Sequence, residues 1–220
     1  MKVIFDIAKA ELRLLFYSPI AWLLLLCFTM QTGMIFTGLL ERLVLEMNDY
    51  GAARWASESI FAKGNITLWD RVLNILYLYI PLLTMGCISR DFSNGSIKLF
   101  YSSPLSNLQI VLGKYLSLVF YALVLTGVLA IYVFIGWFSI ENFEAGWIWT
   151  GWLGILLLTC TYMAIGLFMS SLTSYQIISA VGTFVVFMLL SMIKGWGQQY
   201  DFVREITYWL SIDGRAHTFI

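Results

Sequence analysis

Long apolar stretches constrain this chain more than any other feature. Five runs approach the length of about 20 helical residues that a hydrocarbon core of ~30 Å requires. They cover residues 19–40, 72–89, 115–138, 147–169 and 175–193. Backbone polar groups inside lipid have to be satisfied internally, so only helices or closed barrels can span a bilayer. Because the runs are continuous rather than alternating, they predict helices and not barrel strands.

The overall composition indicates the same class of protein. Hydrophobic residues make up 60% of the chain and charged residues 12%, whereas about a quarter of a soluble domain is charged. The formal net charge is zero, which argues against a nucleic-acid partner. We therefore expect an all-α integral membrane protein with a single transmembrane domain over residues 1–220. Five spans are visible, and the polar, uncapped end of the sequence leads us to expect that a sixth is missing.

Residues 1–18 predict an amphipathic helix that lies in the membrane interface. At 100° per residue its charged side chains share one narrow face, which holds Lys2, Asp6, Lys9 and Arg13. Glu11 is the exception, because it falls on the apolar face. A carboxylate there has to be protonated or find a donor. Two explanations stay open: Glu11 lies near a helix end and reaches water, or it contacts another part of the protein or a partner subunit.

Residues 90–114 are the longest polar interruption that carries its own amphipathic pattern. Basic residues near the first span favour a cytoplasmic N-terminus, but with six basic residues on the inner segments and seven on the outer ones the charges alone do not decide the orientation. A cytoplasmic N-terminus would place this segment in the cytoplasm as well. Gly95 permits a tight turn because only glycine takes a positive φ without strain. Pro104 ends a first helical piece, and Ser106 is a good N-cap for the next helix. A simple connection needs few residues, so we expect this segment to contact another protein. The alternative is an ordinary cytoplasmic helical hairpin without a partner.

The sequence contains no signature of catalysis. There is no GxxxxGK[ST] phosphate loop, and the single histidine is His217. Cys27, Cys87 and Cys160 fall inside spans without metal-type spacing. We predict no catalytic residue, no directly bound cofactor and no metal site. The spans hold essentially no ionisable residues between their ends, which argues against a proton-coupled transporter and an intramembrane enzyme.

Small residues are frequent in the fourth and fifth runs. They comprise Gly151, Gly154, Cys160, Ala164, Gly166 and Ser170, followed by Ser179, Gly182 and Thr183. Small side chains let helices approach each other closely in lipid. Packing within one subunit explains them most simply, and the alternatives are a transport path or a dimer seam.

The order of these features resembles the membrane subunit of ABC-2 type exporters, over nearly the whole chain. The resemblance rests on KAELRLLFYSP near the N-terminus, on SRDFSNGSIKLFYSSPLSNLQIVLGK between spans two and three, and on GLFMSSLTSYQ before span five. Within the family, the chain looks closest to permeases of the gliding-motility-associated type. It departs from the family in showing five spans instead of six. It also has Ser89, Arg90 and Asp91 where a Glu-Glu pair is frequent.

The resemblance implies a permease in the bacterial inner membrane that exports a substrate by coupling to a separate cytoplasmic ATPase. ATP and Mg would bind that ATPase, and a second copy or a homologous permease would complete the transporter within the membrane lipid. The implied coupling residues are Asp91, Gly95, Ser96, Ile97, Lys98, Leu99, Phe100, Pro104 and Lys114, with Glu11 and Arg13 in the interfacial helix. The alternative function is a non-transporting scaffold or anchor of a gliding or secretion apparatus. The sequence does not indicate a substrate.

Overall fold

The computed structural model describes residues 2–50, 67–97, 105–139 and 145–199, and these residues contain helices and no strand. The helices are α1 (Lys2–Tyr17), α2 (Pro19–Tyr50), α3 (Leu68–Thr84), α4 (Ser89–Ser93), α5 (Asn107–Ser139), α6 (Ala145–Ser171) and α7 (Gln176–Gln199).

Within the described residues, four helical segments are long and apolar enough to cross a membrane. They are Pro19–Arg42, Leu68–Ser93, Asn107–Phe138 and Ile148–Ser171. The last predicted run corresponds to a shorter apolar helix, Gln176–Met192, which includes the small residues Ser179, Gly182 and Thr183. The expectation of five comparable spans is thus met by four long helices and one shorter one. The chain is an all-α integral membrane protein.

Helix α3 is the centre of the bundle. It packs against α2, α6 and α7, and α5 packs against α1, α2 and α6. In the most apolar part of the Leu68–Ser93 segment, 61% of the residues are buried inside the protein. The corresponding fraction in Pro19–Arg42 is 28%. Aromatic rings join α3 to its neighbours: the Tyr162 ring lies 5.6 Å from Tyr77 and 4.7 Å from Phe187. Ring pairs at these separations stabilise the packing by more than the burial of their apolar area alone would.

Glycines on α6 allow α3 to approach closely. A Cβ atom at Gly166 would lie 2.2 Å from Oγ1 of Thr84, and one at Gly151 would lie 2.7 Å from Nε1 of Trp69. Neither distance leaves room for a carbon atom. Packing within the subunit therefore accounts for these two glycines, as is usual for small residues at helix contacts in lipid.

The chain turns sharply between α1 and α2. Proline lacks an N–H and disfavours helical conformation in the residue before it, so Ser18 and Pro19 separate the two helices. The Ser18 N–H donates to the carbonyls of Leu14 and Leu15 at 3.1 Å, and the indole N–H of Trp22 donates to the carbonyl of Phe16 at 2.7 Å. Because of this turn, α1 does not continue into α2, and it packs mainly against α5.

The glycine contact between α6 and α3 can be tested with a matched pair of alanine variants. We expect Gly166→Ala to lower the free energy of unfolding by about 1–3 kcal/mol, because the added methyl group forces Thr84 or the helices to move. The control is Gly127→Ala on α5, where nothing lies within 4 Å of the added carbon. Thermal unfolding in detergent measures both changes. Equal melting temperatures for the two variants would contradict the close packing.

Candidate functional site

The second spanning segment, Leu68–Ser93, is interrupted between α3 and α4. Pro81 lies inside the last turns of α3, and residues 85–88 form turns before α4 begins at Ser89. An interruption of this kind frees backbone donors and acceptors, and inside a bilayer each of them needs a partner from the protein.

Ser170, at the end of α6, satisfies three of the freed groups. Its hydroxyl accepts the N–H groups of Ile88 and Ser89, both at 3.1 Å, and donates to the carbonyl of Met85 at 3.1 Å. A serine hydroxyl has one donor and two acceptor positions, so its capacity is used in full. Ser170 is completely buried. Sequence reasoning counted it only as a small packing residue and missed this role.

Lys114 on α5 satisfies a further carbonyl and forms the charged centre of the site. Its ammonium group donates to the carbonyl of Cys87 at 2.9 Å and lies 2.8 Å from Oδ2 of Asp91 on α4. It also forms an ion pair with Oε1 of Glu11 on α1. The ammonium therefore donates hydrogen bonds to Glu11 and to the Cys87 carbonyl, and Asp91 adds a second ion pair. We call the group formed by Lys114, Glu11, Asp91 and the Cys87 carbonyl the Lys114 junction.

Burial makes the Lys114 junction energetically demanding. The Lys114 side chain is only 3% exposed, whereas Glu11 and Asp91 keep 21% and 19%. Removing an ammonium from water costs several kcal/mol, which the protein offsets only with good pairing and hydrogen bonds. Here two carboxylates and a carbonyl supply that compensation. Separating α1, α4 and α5 at this contact would therefore cost free energy, because a buried charge would lose its partners.

The junction decides between the two explanations left open for Glu11. The carboxylate on the apolar face of α1 contacts another part of the same chain. The backbones approach closely beside it: a Cβ atom at Gly113 would lie 2.6 Å from Cγ2 of Ile7 and 3.3 Å from the carbonyl oxygen of Ile4. Glycine at position 113 is therefore what lets α1 lie against α5 at the level of Lys114.

The position of Lys114 differs from the sequence expectation. The sequence places it at the end of a polar segment, just before a span, whereas in the structure it lies inside α5 and is buried. The helix begins earlier because Ser106 caps it, as the sequence indicates. The Gln109 N–H donates to Oγ of Ser106 at 3.3 Å, and the Ser106 N–H donates to Oε1 of Gln109 at 3.1 Å. A helix that begins directly after Ser106 includes Lys114 eight residues later, so the cap alone could have predicted that Lys114 is helical.

The other predicted coupling residues fall into two groups. Gly95 has a φ of 73°, which confirms the expected tight turn, and Ser96 and Ile97 beyond it are half-buried. Arg13 is exposed on α1. The remaining candidates lie outside the described residues: Lys98, Leu99, Phe100 and Pro104.

The arrangement can transmit displacement. The turn before α4, the start of α5, the end of α6 and the middle of α1 meet at one end of the bundle. A movement of α4 has either to carry Lys114 and Glu11 with it or to separate a buried charge from its partners. Because that separation is costly, coordinated movement is favoured.

Substitutions at the Lys114 junction test its energetic role. We expect Lys114→Met to lower the free energy of unfolding by roughly 3–5 kcal/mol, because Glu11, Asp91 and the Cys87 carbonyl lose their shared donor. Glu11→Gln should cost less, since Asp91 still pairs with Lys114. The control is Lys9→Met on the exposed face of α1, which should change stability by about 0.5 kcal/mol or less. Thermal unfolding that does not separate Lys114→Met from Lys9→Met would contradict this role.

Comparison with known proteins places these features in a family. The model of the ABC-2 family transporter protein matches residues 61–211, which is more than half of the 220 residues and includes α3 to α7. Neither the curated proteins nor the solved structures contain a match. The matched region carries Asp91, Lys114 and Ser170, the groups that meet at the interruption after α3. The chain belongs to the ABC-2 family of membrane transport proteins.

Proposed function

We propose that this protein is the permease subunit of an ATP-driven exporter, and that a separate cytoplasmic ATPase supplies the energy. Membership of the ABC-2 family supports a membrane subunit of a transporter. Because the sequence has no phosphate loop, ATP and Mg would be bound by the partner chain. The family assignment favours a permease over a scaffold. The resemblance to the gliding-motility-associated type stays a prediction, and so does the inner membrane as the location.

The Lys114 junction is the observation that carries the proposed coupling. It ties the turn after α3 and the short helix α4 to both α1 and α5. Force applied to the segment after α4 would therefore reach a spanning helix through the ion pairs of the buried Lys114. Packed helices held in this way move as rigid bodies between discrete arrangements.

The contact with the ATPase is proposed to lie just beyond the Gly95 turn. Ile97, Leu99 and Phe100 would provide an apolar anchor, with Lys98 as its charged rim. With a cytoplasmic N-terminus, this segment would face the ATPase, and α1 would lie in the inner leaflet. A second copy of the chain or a homologous permease would complete the transporter.

A co-purification experiment tests this contact. The protein is co-expressed with each candidate phosphate-loop ATPase from its own genome, and the ATPase retained on the tagged permease is quantified. We expect Phe100→Asp to reduce the retained ATPase at least about tenfold, because a charge in a buried apolar anchor is costly. Deletion of residues 94–103 should abolish retention.

The control is Phe138→Asp, which places the same change on a side chain that is 90% exposed near the end of α5. It should retain the ATPase like the wild type. If both phenylalanine variants retain the ATPase, residues 97–100 do not form the contact. If the permease binds normally after the deletion, the coupling role of the whole segment is wrong, although the family assignment stands.

A further inference from the structure

A cleft of about 80 Å³ lies beside the Lys114 junction, between α1, the start of α2, the end of α3 and the start of α7. Its polar lining includes Glu11, Ser18, Arg90, Asp91 and Gln176, and its apolar lining includes Leu14, Ile20 and Leu82.

Arg90 is the cation of this cleft that the fold does not use. Its neighbour Asp91 pairs with Lys114, as does Glu11, so both carboxylates of the cleft are already engaged. Over the parts of the chain that the structure describes, the Arg90 side chain forms no ion pair or hydrogen bond, and it is exposed. A guanidinium group offers five donors in a planar fork that matches the oxygen atoms of phosphate.

The open space at Gly86 and the N-terminal end of α7 favour an anion next to Arg90. A carbon atom added at Gly86 would lie 3.4 Å from Nη2 of Arg90 and 3.7 Å from Oε1 of Gln176, so the absent side chain leaves space beside both groups. Gln176 is the first residue of the 24-residue helix α7. The N-terminal end of a helix carries partial positive charge and unpaired N–H groups, which attract anions.

The rim of the cleft is apolar and uncovered. Leu14 is 60% exposed, Ile20 is 47% exposed and Leu82 is 36% exposed. All three belong to helices of a membrane protein, at the end of the bundle where α1 turns into α2. A water-soluble anion would leave this rim uncovered, whereas an acyl chain would cover it.

We propose that the cleft binds one membrane phospholipid, with its phosphate on Arg90 beside the N-terminal end of α7 and its acyl chain against Leu14, Ile20 and Leu82. Two features of the cleft correspond to the two ends of such a ligand: Arg90 offers an exposed, unpaired guanidinium, and exposed aliphatic side chains form the rim. This site does not depend on the proposed function, since it requires neither an ATPase nor transport.

Native mass spectrometry of the detergent-purified protein tests the site. The protein is titrated in parallel with phosphatidylglycerol, phosphatidylcholine and inorganic phosphate. We expect a saturable adduct of one phospholipid for each chain. Arg90→Gln should weaken it about tenfold or more, because a hydrogen-bonded charge pair is lost, and Arg90→Lys should retain most of it. The control Arg13→Gln removes an exposed arginine from α1, which borders the cleft, and should leave the adduct unchanged.

The outcomes separate specific lipid binding from its alternatives. An adduct that Arg90→Gln leaves unchanged overturns the proposal, as does equal weakening by Arg90→Gln and Arg13→Gln, which would indicate non-specific surface lipid. Binding of inorganic phosphate without a phospholipid adduct overturns the lipid assignment. Size-exclusion profiles identical to the wild type show that the Arg90 variants are folded, and Arg90→Lys provides the same check through retained binding.

Discussion

One buried ammonium group holds together the end of the bundle where α1, α4 and α5 meet. Lys114 is shared by a carboxylate of α1, a carboxylate of α4 and the Cys87 carbonyl at the interruption between α3 and α4. If any of these segments moved away alone, a charge or a carbonyl would be left unpaired in a low-dielectric interior. That penalty fixes where α1 lies on α5 and how the second spanning segment ends.

The interruption itself is possible only because of its neighbours. A spanning helix that breaks inside lipid needs protein groups to replace its lost backbone hydrogen bonds. Ser170 supplies two acceptor positions and one donor, and Lys114 supplies another donor. The residues of the break are therefore held by α5 and α6, and a force on α4 reaches both helices. This geometry supports the coupling role proposed for the segment that follows.

The adjacent residues Arg90 and Asp91 carry opposite charges and have different surroundings at this end of the bundle. Asp91 pairs with the buried Lys114, whereas Arg90 lines the cleft beside α1 and α7. Asp91 thus completes the Lys114 junction, whereas Arg90 is the residue that we propose to contact the phospholipid.

The sequence by itself determined the class of the protein, because about 20 consecutive apolar residues can only be placed in lipid as a helix. It also determined local features that depend on neighbouring residues alone: the break at Pro19, the cap at Ser106 and the turn at Gly95, whose positive φ the structure confirms. It showed that Glu11 needed a donor but could not name Lys114, which lies 103 positions away. Only the tertiary structure decided that pairing and the part played by Ser170. Contacts between distant segments depend on how whole helices pack, and no local pattern encodes that packing.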